Sequence, residues 1–273
     1  MKRNPLVLLV FLGALAAGIS PAFAQVAGPI APPPKFELKK IPVKPNPGAP
    51  PIPAEQIIQR FTQNEDQNKK AYDADMFDQN VKVEELVANG GAYEFDGQQY
   101  KKSDGEHYEK ALGTPTSNLR YTEFSLSDVK YLAGMPMFFL TSDETHLYNL
   151  NYEGKEKLDQ IDTFIFGVHP KQLGAKPLFE GVIWVDDQDF SIVKSYGHFV
   201  TGSGNAGDFP FQMFDIYREN LEGHLWFPTY IRSDSEVKTP DGSVPIRLIV
   251  RSSNFKPNAP ASPVKTSSPS AEQ

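Results

Sequence analysis

The stretch Leu178–Val200, LFEGVIWVDDQDFSIVKSYGHFV, decides the fold. Leu178 to Val185 is an almost unbroken apolar run, rich in β-branched and aromatic residues and interrupted by Glu180 and Gly181, which is strand composition. Asp186-Asp187-Gln188-Asp189 supplies short polar side chains that bond their own backbone, which is turn chemistry. Phe190 to Val200 resumes as a second strand. A period of two puts Phe179, Ile183 and Val185 on one face of the first strand and Val182 and Trp184 on the other. Both faces of this hairpin are apolar, which suggests one face packing on helices and some residues lining a cavity.

Working outward, the same hairpin grammar recurs. Downstream, Phe209 to Glu219 and His224 to Ser233 read as a strand pair around Asn220–Gly223, and a last strand runs from Val244 to Phe255, entered through Asp241-Gly242. Upstream, Asp162 to His169 alternates with Phe164, Phe166 and Val168 facing one way. His146 to Tyr152 is a further strand, with Glu153-Gly154 as a kink or turn. Tyr93–Lys102 and Glu106–Leu112 flank Ser103-Asp104-Gly105, whose Asp-Gly is a hairpin signal. Phe77 to Val87 is a half-buried strand, with Phe77, Val81, Val83 and Val87 on one side. Prolines 210, 228 and 245 mark edges or bulges.

Helix signals are few. One helix begins at Ala54, directly after Pro53, with Ile57, Ile58 and Phe61 as its apolar stripe and Tyr72 and Met76 extending it. The polar run Asn64 to Lys70 leaves it one narrow buried face. Between Thr114 and Leu140, Ser127 is positioned to cap a short helix over Asp128–Leu132, and Gly134 with Pro136 ends it. The architecture expected is mainly β within the α+β class: one curved antiparallel sheet with a few helices lying across it.

The ends read differently. Lys2 and Arg3 precede the apolar run Leu6–Ile19, and Ala22-Phe23-Ala24 follows as an A-x-A site, so residues 1–24 are a secretory signal peptide cut after Ala24. That run of roughly 14 residues is short of the ~20 that a spanning helix needs, and no second run approaches that length. Residues 25–53 hold Pro32-Pro33-Pro34 and seven further prolines, a polyproline-type spacer and disordered linker. Residues 256–273 are a Pro/Ser/Ala-rich disordered tail, leaving 54–255 as the folded domain.

Composition narrows the function. The chain has no cysteine, which excludes disulfides and a lipidated-cysteine anchor; its core alone must hold it. Loss of Lys2 and Arg3 with the signal takes the formal charge from −7 to −9, which argues against nucleic acid and anionic membrane as partners. A soluble, monomeric periplasmic protein is expected. Gly202-Ser203-Gly204-Asn205-Ala206-Gly207 matches G-x-G-x-x-G, but strand-like Asp208-Phe209-Pro210-Phe211 follows where a dinucleotide site needs a helix. The five histidines (107, 146, 169, 198, 224) are scattered, with no pair at helical ligand spacing. The acidic turn lacks the spaced ligands and closing glutamate of a calcium loop. No G-x-S-x-G elbow occurs. Neither an enzyme, a metal site nor a cofactor is expected.

What remains is aromatic content. Both tryptophans and many phenylalanines fall between Phe164 and Tyr230. Such a set either fills a plain core or lines a cavity for an apolar ligand.

The block Phe179-x-Gly181-x-Ile183-Trp184-Val185-Asp186, continuing through Asp189 to Ile192-Val193-Lys194, resembles the hairpin of the LolA/LolB-like superfamily of periplasmic lipoprotein-sorting proteins. Phe211, Phe214, Tyr217-Arg218-Glu219 and Gly223-x-x-Trp226-Phe227-Pro228-Thr229-Tyr230 are similar to the strands that follow it. Tyr152-x-Gly154-Lys155-Glu156 and Asp162-Thr163-Phe164 fit the hairpin before it, and the Ile57–Phe61 helix also agrees. The resemblance spans about residues 54 to 255 and implies an open, incomplete antiparallel β-barrel lidded by helices, with a cavity for acyl chains. On that footing Phe164, Phe166, Phe179, Ile183, Val185, Phe211 and Trp226 are the expected cavity lining, and a lipid or lipoprotein acyl chain the expected ligand. The helix after Pro53 and the 114–140 insert would be the lid. The proline-rich leader and the missing lipidated cysteine depart from the family pattern. The alternative is an envelope stress-sensing or protein-interaction module on the same fold, with an envelope protein as partner.

Overall fold

The computed structural model describes residues 49–102, 107–203, 209–221, 223–240 and 242–258. The expected signal peptide, most of the proline-rich stretch 25–53, the expected turn at Asp104-Gly105, most of the glycine-rich stretch 202–207 and nearly all of residues 256–273 lie outside the described residues.

Among the described residues two α-helices, α1 (Ala54–Ala74) and α2 (Leu126–Ala133), accompany eleven strands. These are β1 (Asp75–Glu85), β2 (Ala92–Lys101), β3 (His107–Ala111), β4 (Thr116–Ser117), β5 (Tyr148–Leu158), β6 (Ile161–Pro170), β7 (Leu178–Asp186), β8 (Ile192–Val200), β9 (Phe214–Leu221), β10 (Leu225–Thr239) and β11 (Gly242–Pro257). They form one antiparallel sheet in the order β3-β2-β1-β11-β10-β9-β8-β7-β6-β5, with β4 also on β2. Strands β5 to β11 follow one another as a meander. The chain's first strand then joins its last, Val81 opposite Val250 and Val83 opposite Leu248. Among the described residues β3 and β5 end the order without pairing to each other, so the sheet is an open half-barrel, as the family resemblance implies.

That order has a topological consequence. β4 sits at one end of the sheet and β5 at the other, so residues 118–147 must cross the mouth of the half-barrel. The crossing begins at a firm anchor. The buried Glu85 carboxylate, at the end of β1, accepts the backbone N–H groups of Gly91, Arg120, Tyr121 and Thr122 at 2.6–3.0 Å. Burial by itself would raise this carboxyl, but the four N–H groups hold it below the usual carboxylate range. The crossing then carries Phe124, Val129, Leu132, Met135, Phe139 and Leu140 into the main apolar cluster, on the same face of the sheet as Ile57 and Phe61 of α1.

Local differences from the sequence reading each have a cause. Helix α2 is capped by Ser125 rather than Ser127: the Ser125 N–H donates to Asp128 Oδ2 at 2.8 Å, and the helix starts at Leu126. Gly134 ends it as expected. Glu153-Gly154 does not end a strand but bulges inside β5, where the register shifts and Gly154 takes φ 121°, a conformation that suits glycine. Residues 209–213 are outside any strand, so β9 begins at Phe214. Met76 belongs to β1 rather than to the helix, and β11 continues to Pro257, past the boundary expected at Phe255. Pro228 sits at a bulge between Pro228 and Tyr230, which is how β10 holds a proline between two partners.

The two apolar faces of the 178–200 hairpin find different covers. Phe179, Ile183 and Val185 join the inner cluster beneath α1 and the crossing segment. Val182 and Trp184 join Ile165, Val193, Tyr196 and Trp226 in a second cluster on the other side. Gly181 and Gly197 stand opposite each other in β7 and β8, and the Phe179 ring lies over both.

Candidate functional site

Six of the seven residues expected to line a cavity do come together. Phe164, Phe166, Phe179, Ile183, Val185 and Phe211 are all buried in the inner cluster. They meet solid packing there. Phe139 of the crossing segment stacks on Phe179 with centroids 4.0 Å apart, and Phe61 of α1 meets Phe166 edge-on at 5.8 Å. Trp226, the seventh, packs in the other cluster and donates its indole N–H to Asp189 Oδ2 at 2.8 Å.

Open space lies at the other end of α1, where a third cluster gathers Tyr72, Phe77, Phe138 and Phe227. Tyr72 is its hub, with ring centroids 4.9 Å from Phe77, 5.2 Å from Phe138 and 5.5 Å from Phe227; Phe255 stacks on Phe77 at 4.8 Å. On one side of this cluster is a cavity of about 190 Å³ under residues 132–138, walled by Tyr72, Phe77, Leu132, Met135, Ile231 and Val250. On the other is a groove of about 650 Å³ whose apolar walls are Ala71, Ala74, Leu221, Leu225, Phe227 and Phe255. Ser252 borders both. None of the seven expected residues is on either wall.

Polar groups stand at defined points around this space. Asp73, at the end of α1, holds Lys69 at 2.5 Å and Lys101 of β2 at 2.8 Å. Burial would raise its carboxyl, but these two lysines hold it below the usual range. Glu219 borders the groove, and burial raises its carboxyl.

Beneath the crossing segment lies a buried ion pair. Glu65 of α1 accepts both terminal nitrogens of Arg218 on β9; their side chains are 0% and 1% exposed. Arg218 also donates to the Met137 carbonyl at 2.9 Å and lies 4.7 Å from the centre of the Phe138 ring. One guanidinium therefore ties α1, β9 and the roof of the smaller cavity. Burial raises the Glu65 carboxyl, opposed by Arg218. The polar run Asn64–Lys70 gave no sign of this: Thr62, Glu65 and Asn68 are all buried, so the inward face of α1 is broader than its apolar stripe. The signals available were the spacing of Phe61, Glu65, Asn68 and Tyr72, which puts them on one helical face, and the aromatic Phe227.

Among the described residues no group of three or more His, Cys, Asp or Glu side chains is arranged to hold a metal ion, and no helix is long and apolar enough to cross a membrane. The arrangement is chemically suited to enclosing an apolar chain beside a few hydrogen-bonding groups.

No protein-family model and no curated protein matches the chain. Its likenesses among solved structures are distant. A DUF1329 family protein from Desulfovibrio piger is 13% identical, with 77% of this chain and 95% of that one covered and a TM-score of 0.39. A LolA superfamily protein from Nitrosomonas europaea is 15% identical, with 77% and 96% covered and a TM-score of 0.39. The complex structure of Pseudomonas aeruginosa MucA/MucB matches at 14% identity, with 76% and 99% covered and a TM-score of 0.23. The half-barrel rests on the strand order of the chain itself, and it agrees with the LolA-like architecture implied by the 178–200 hairpin.

Proposed function

We propose that this chain is an exported, periplasmic binding protein that shields the apolar chain of a lipid or lipoprotein from water, and that it does so at the Tyr72–Phe227–Phe255 end of the half-barrel. The observation that carries the reading is the aromatic cluster flanked by the 190 Å³ cavity and the 650 Å³ groove, at the one end of α1 where the inner face is not filled by Phe61 and Phe139. Each methylene moved from water onto these rings is worth about 0.8 kcal/mol, so a chain of moderate length needs no other driving force. The reading is of binding rather than catalysis, and it moves the expected ligand away from the six core residues.

The test is native mass spectrometry of gently purified protein, with displacement of the apolar fluorophore N-phenyl-1-naphthylamine as a second readout. Co-purifying lipid masses and saturable probe binding are expected. Ala74→Trp, at the groove wall, should weaken probe binding by about tenfold or more while leaving the thermal transition in place. Absence of both adduct and probe binding would sink the reading and favour the protein-interaction module instead.

A further inference from the structure

The smaller cavity is not apolar all round. Along its sheet wall runs a row of polar side chains on neighbouring strands, and the register puts them on one face. Ser252 of β11 is opposite Gln79 of β1, and Gln99 of β2 is opposite Glu109 of β3. Gln79 is opposite Gly97, and the diagonal neighbour Gln99 reaches it with Nε2 donating to Gln79 Oε1 at 3.2 Å. Gly97 leaves room for this: a Cβ there would stand 2.9 Å from Glu109 Oε1 and 2.6 Å from the Phe95 ring. Val81 and Val83 follow Gln79 on the same face of β1, so the row interrupts an otherwise apolar wall.

The hydrogen bonds in this row have a direction. Gln99 donates its amide to Gln79 Oε1, which leaves the Gln79 amide nitrogen as a donor. Among the described residues no protein group takes that nitrogen or the Ser252 hydroxyl, and both side chains border the cavity. Gln79 is 8% exposed and Ser252 9%. Both donors therefore face the cavity with room for an acceptor, which a guest can supply. On the opposite rim Lys69 is paired with Asp73, and Glu144 also borders the cavity. Glu109 and the Tyr93 hydroxyl lie further along the row, each with a buried oxygen that has no partner.

We infer that the Ser252–Gln79 pair is an acyl-group subsite: its two donors take the carbonyl oxygen of a fatty carboxylate, ester or amide, with the alkyl chain running over Phe77, Tyr72 and Phe227 to the larger groove. This rests on the binding reading above and adds what that reading lacks, a reason to prefer an acyl group over any other greasy chain. Free fatty acid and ester-linked acyl chain share the carbonyl, and the test separates them.

Displacement of N-phenyl-1-naphthylamine from the full chain at pH 8 is measured with dodecanoate, methyl dodecanoate and dodecyltrimethylammonium, each below its micelle concentration. The ratio of competitor affinities does not depend on how well the probe itself binds. In the unaltered protein at least one acyl competitor should bind about tenfold or more tightly than the quaternary ammonium, the size of one net hydrogen bond. Dodecanoate alone winning assigns the site to free acid; both winning assigns it to the acyl carbonyl of either source. Gln79→Leu should bring all three to within about twofold, and Ser252→Ala should move the ratios the same way by less. An unchanged ratio in both variants overturns the subsite, as does preference for the ammonium, which would point to Glu109 as the recognition group. If no probe or competitor binds the unaltered protein, the binding reading itself falls, and this inference falls with it.

Discussion

Arg218 shows how one side chain fixes an arrangement that no run of neighbours in sequence encodes. Its partner Glu65 is 153 residues away, and both are sealed from water beneath a roof that includes the Met137 carbonyl. Burying a charge pair is costly, and what the pair gains is uniqueness of packing between α1, β9 and the crossing segment. Arg218→Met should destabilise the fold by about 3–5 kcal/mol, because it strands the Glu65 carboxylate. The double variant Glu65→Met/Arg218→Met should lose markedly less than the single one, as measured by urea unfolding. Equal losses would show that the pair is not coupled. The sequence displayed Arg218 within Tyr217-Arg218-Glu219, but not its role, since the strand pattern predicts only that a residue is on a face.

At the scale of elements, the 178–200 hairpin and the crossing segment complete each other. Gly181 and Gly197 are opposite residues in β7 and β8, and the ring of Phe179 occupies the space their missing side chains leave. A Cβ on Gly197 would stand 2.2 Å from the Glu180 carbonyl oxygen and 2.6 Å from the Phe179 ring. Gly197→Ala should therefore cost about 1–3 kcal/mol by overpacking, and should shift the Phe139–Phe179 stack. Thermal unfolding with near-ultraviolet circular dichroism checks both; an unchanged aromatic signal would refute the link between this glycine pair and the crossing segment. The alternation of the strands was legible because side-chain direction in a strand is local. The helix cap at Ser125 and the bulge at Gly154 were not, because serines 125 and 127 are equivalent until Asp128 chooses one, and a glycine in a strand pattern is compatible with a turn.

For the molecule as a whole, two carboxyls give stability opposite pH dependences. Burial pushes Glu109 up to about 7, against the pull of Gln99 and Lys130, from an ordinary value of 4.5. Between those values the folded chain keeps a proton that the unfolded chain has released, so this contribution to stability falls as pH rises through that window. Glu85 behaves in the other sense: its carboxyl is held below 4.5, so its contribution is present above that value and is lost as pH falls through the folded value. The melting temperature of Glu109→Gln should gain on that of the unaltered protein from pH 5 to pH 8. The deficit of Glu85→Gln should narrow from pH 6 to pH 3. A pH-independent gap in either comparison would contradict the assignment.

The sequence by itself determined the hairpins and a curved antiparallel sheet, because alternation and turn chemistry act over a few residues; that the sheet is open was implied by the family resemblance. Only the tertiary structure decided where the half-barrel is filled and where it is open. An apolar residue that packs against Phe139 and one that would face a ligand have the same strand pattern, and the difference is made by a segment arriving from the far edge of the sheet. The path of residues 118–147 fills the middle over Phe179, and at the Tyr72–Phe227 end it roofs a cavity instead. The 178–200 hairpin identified the architecture, and the candidate site lies away from it.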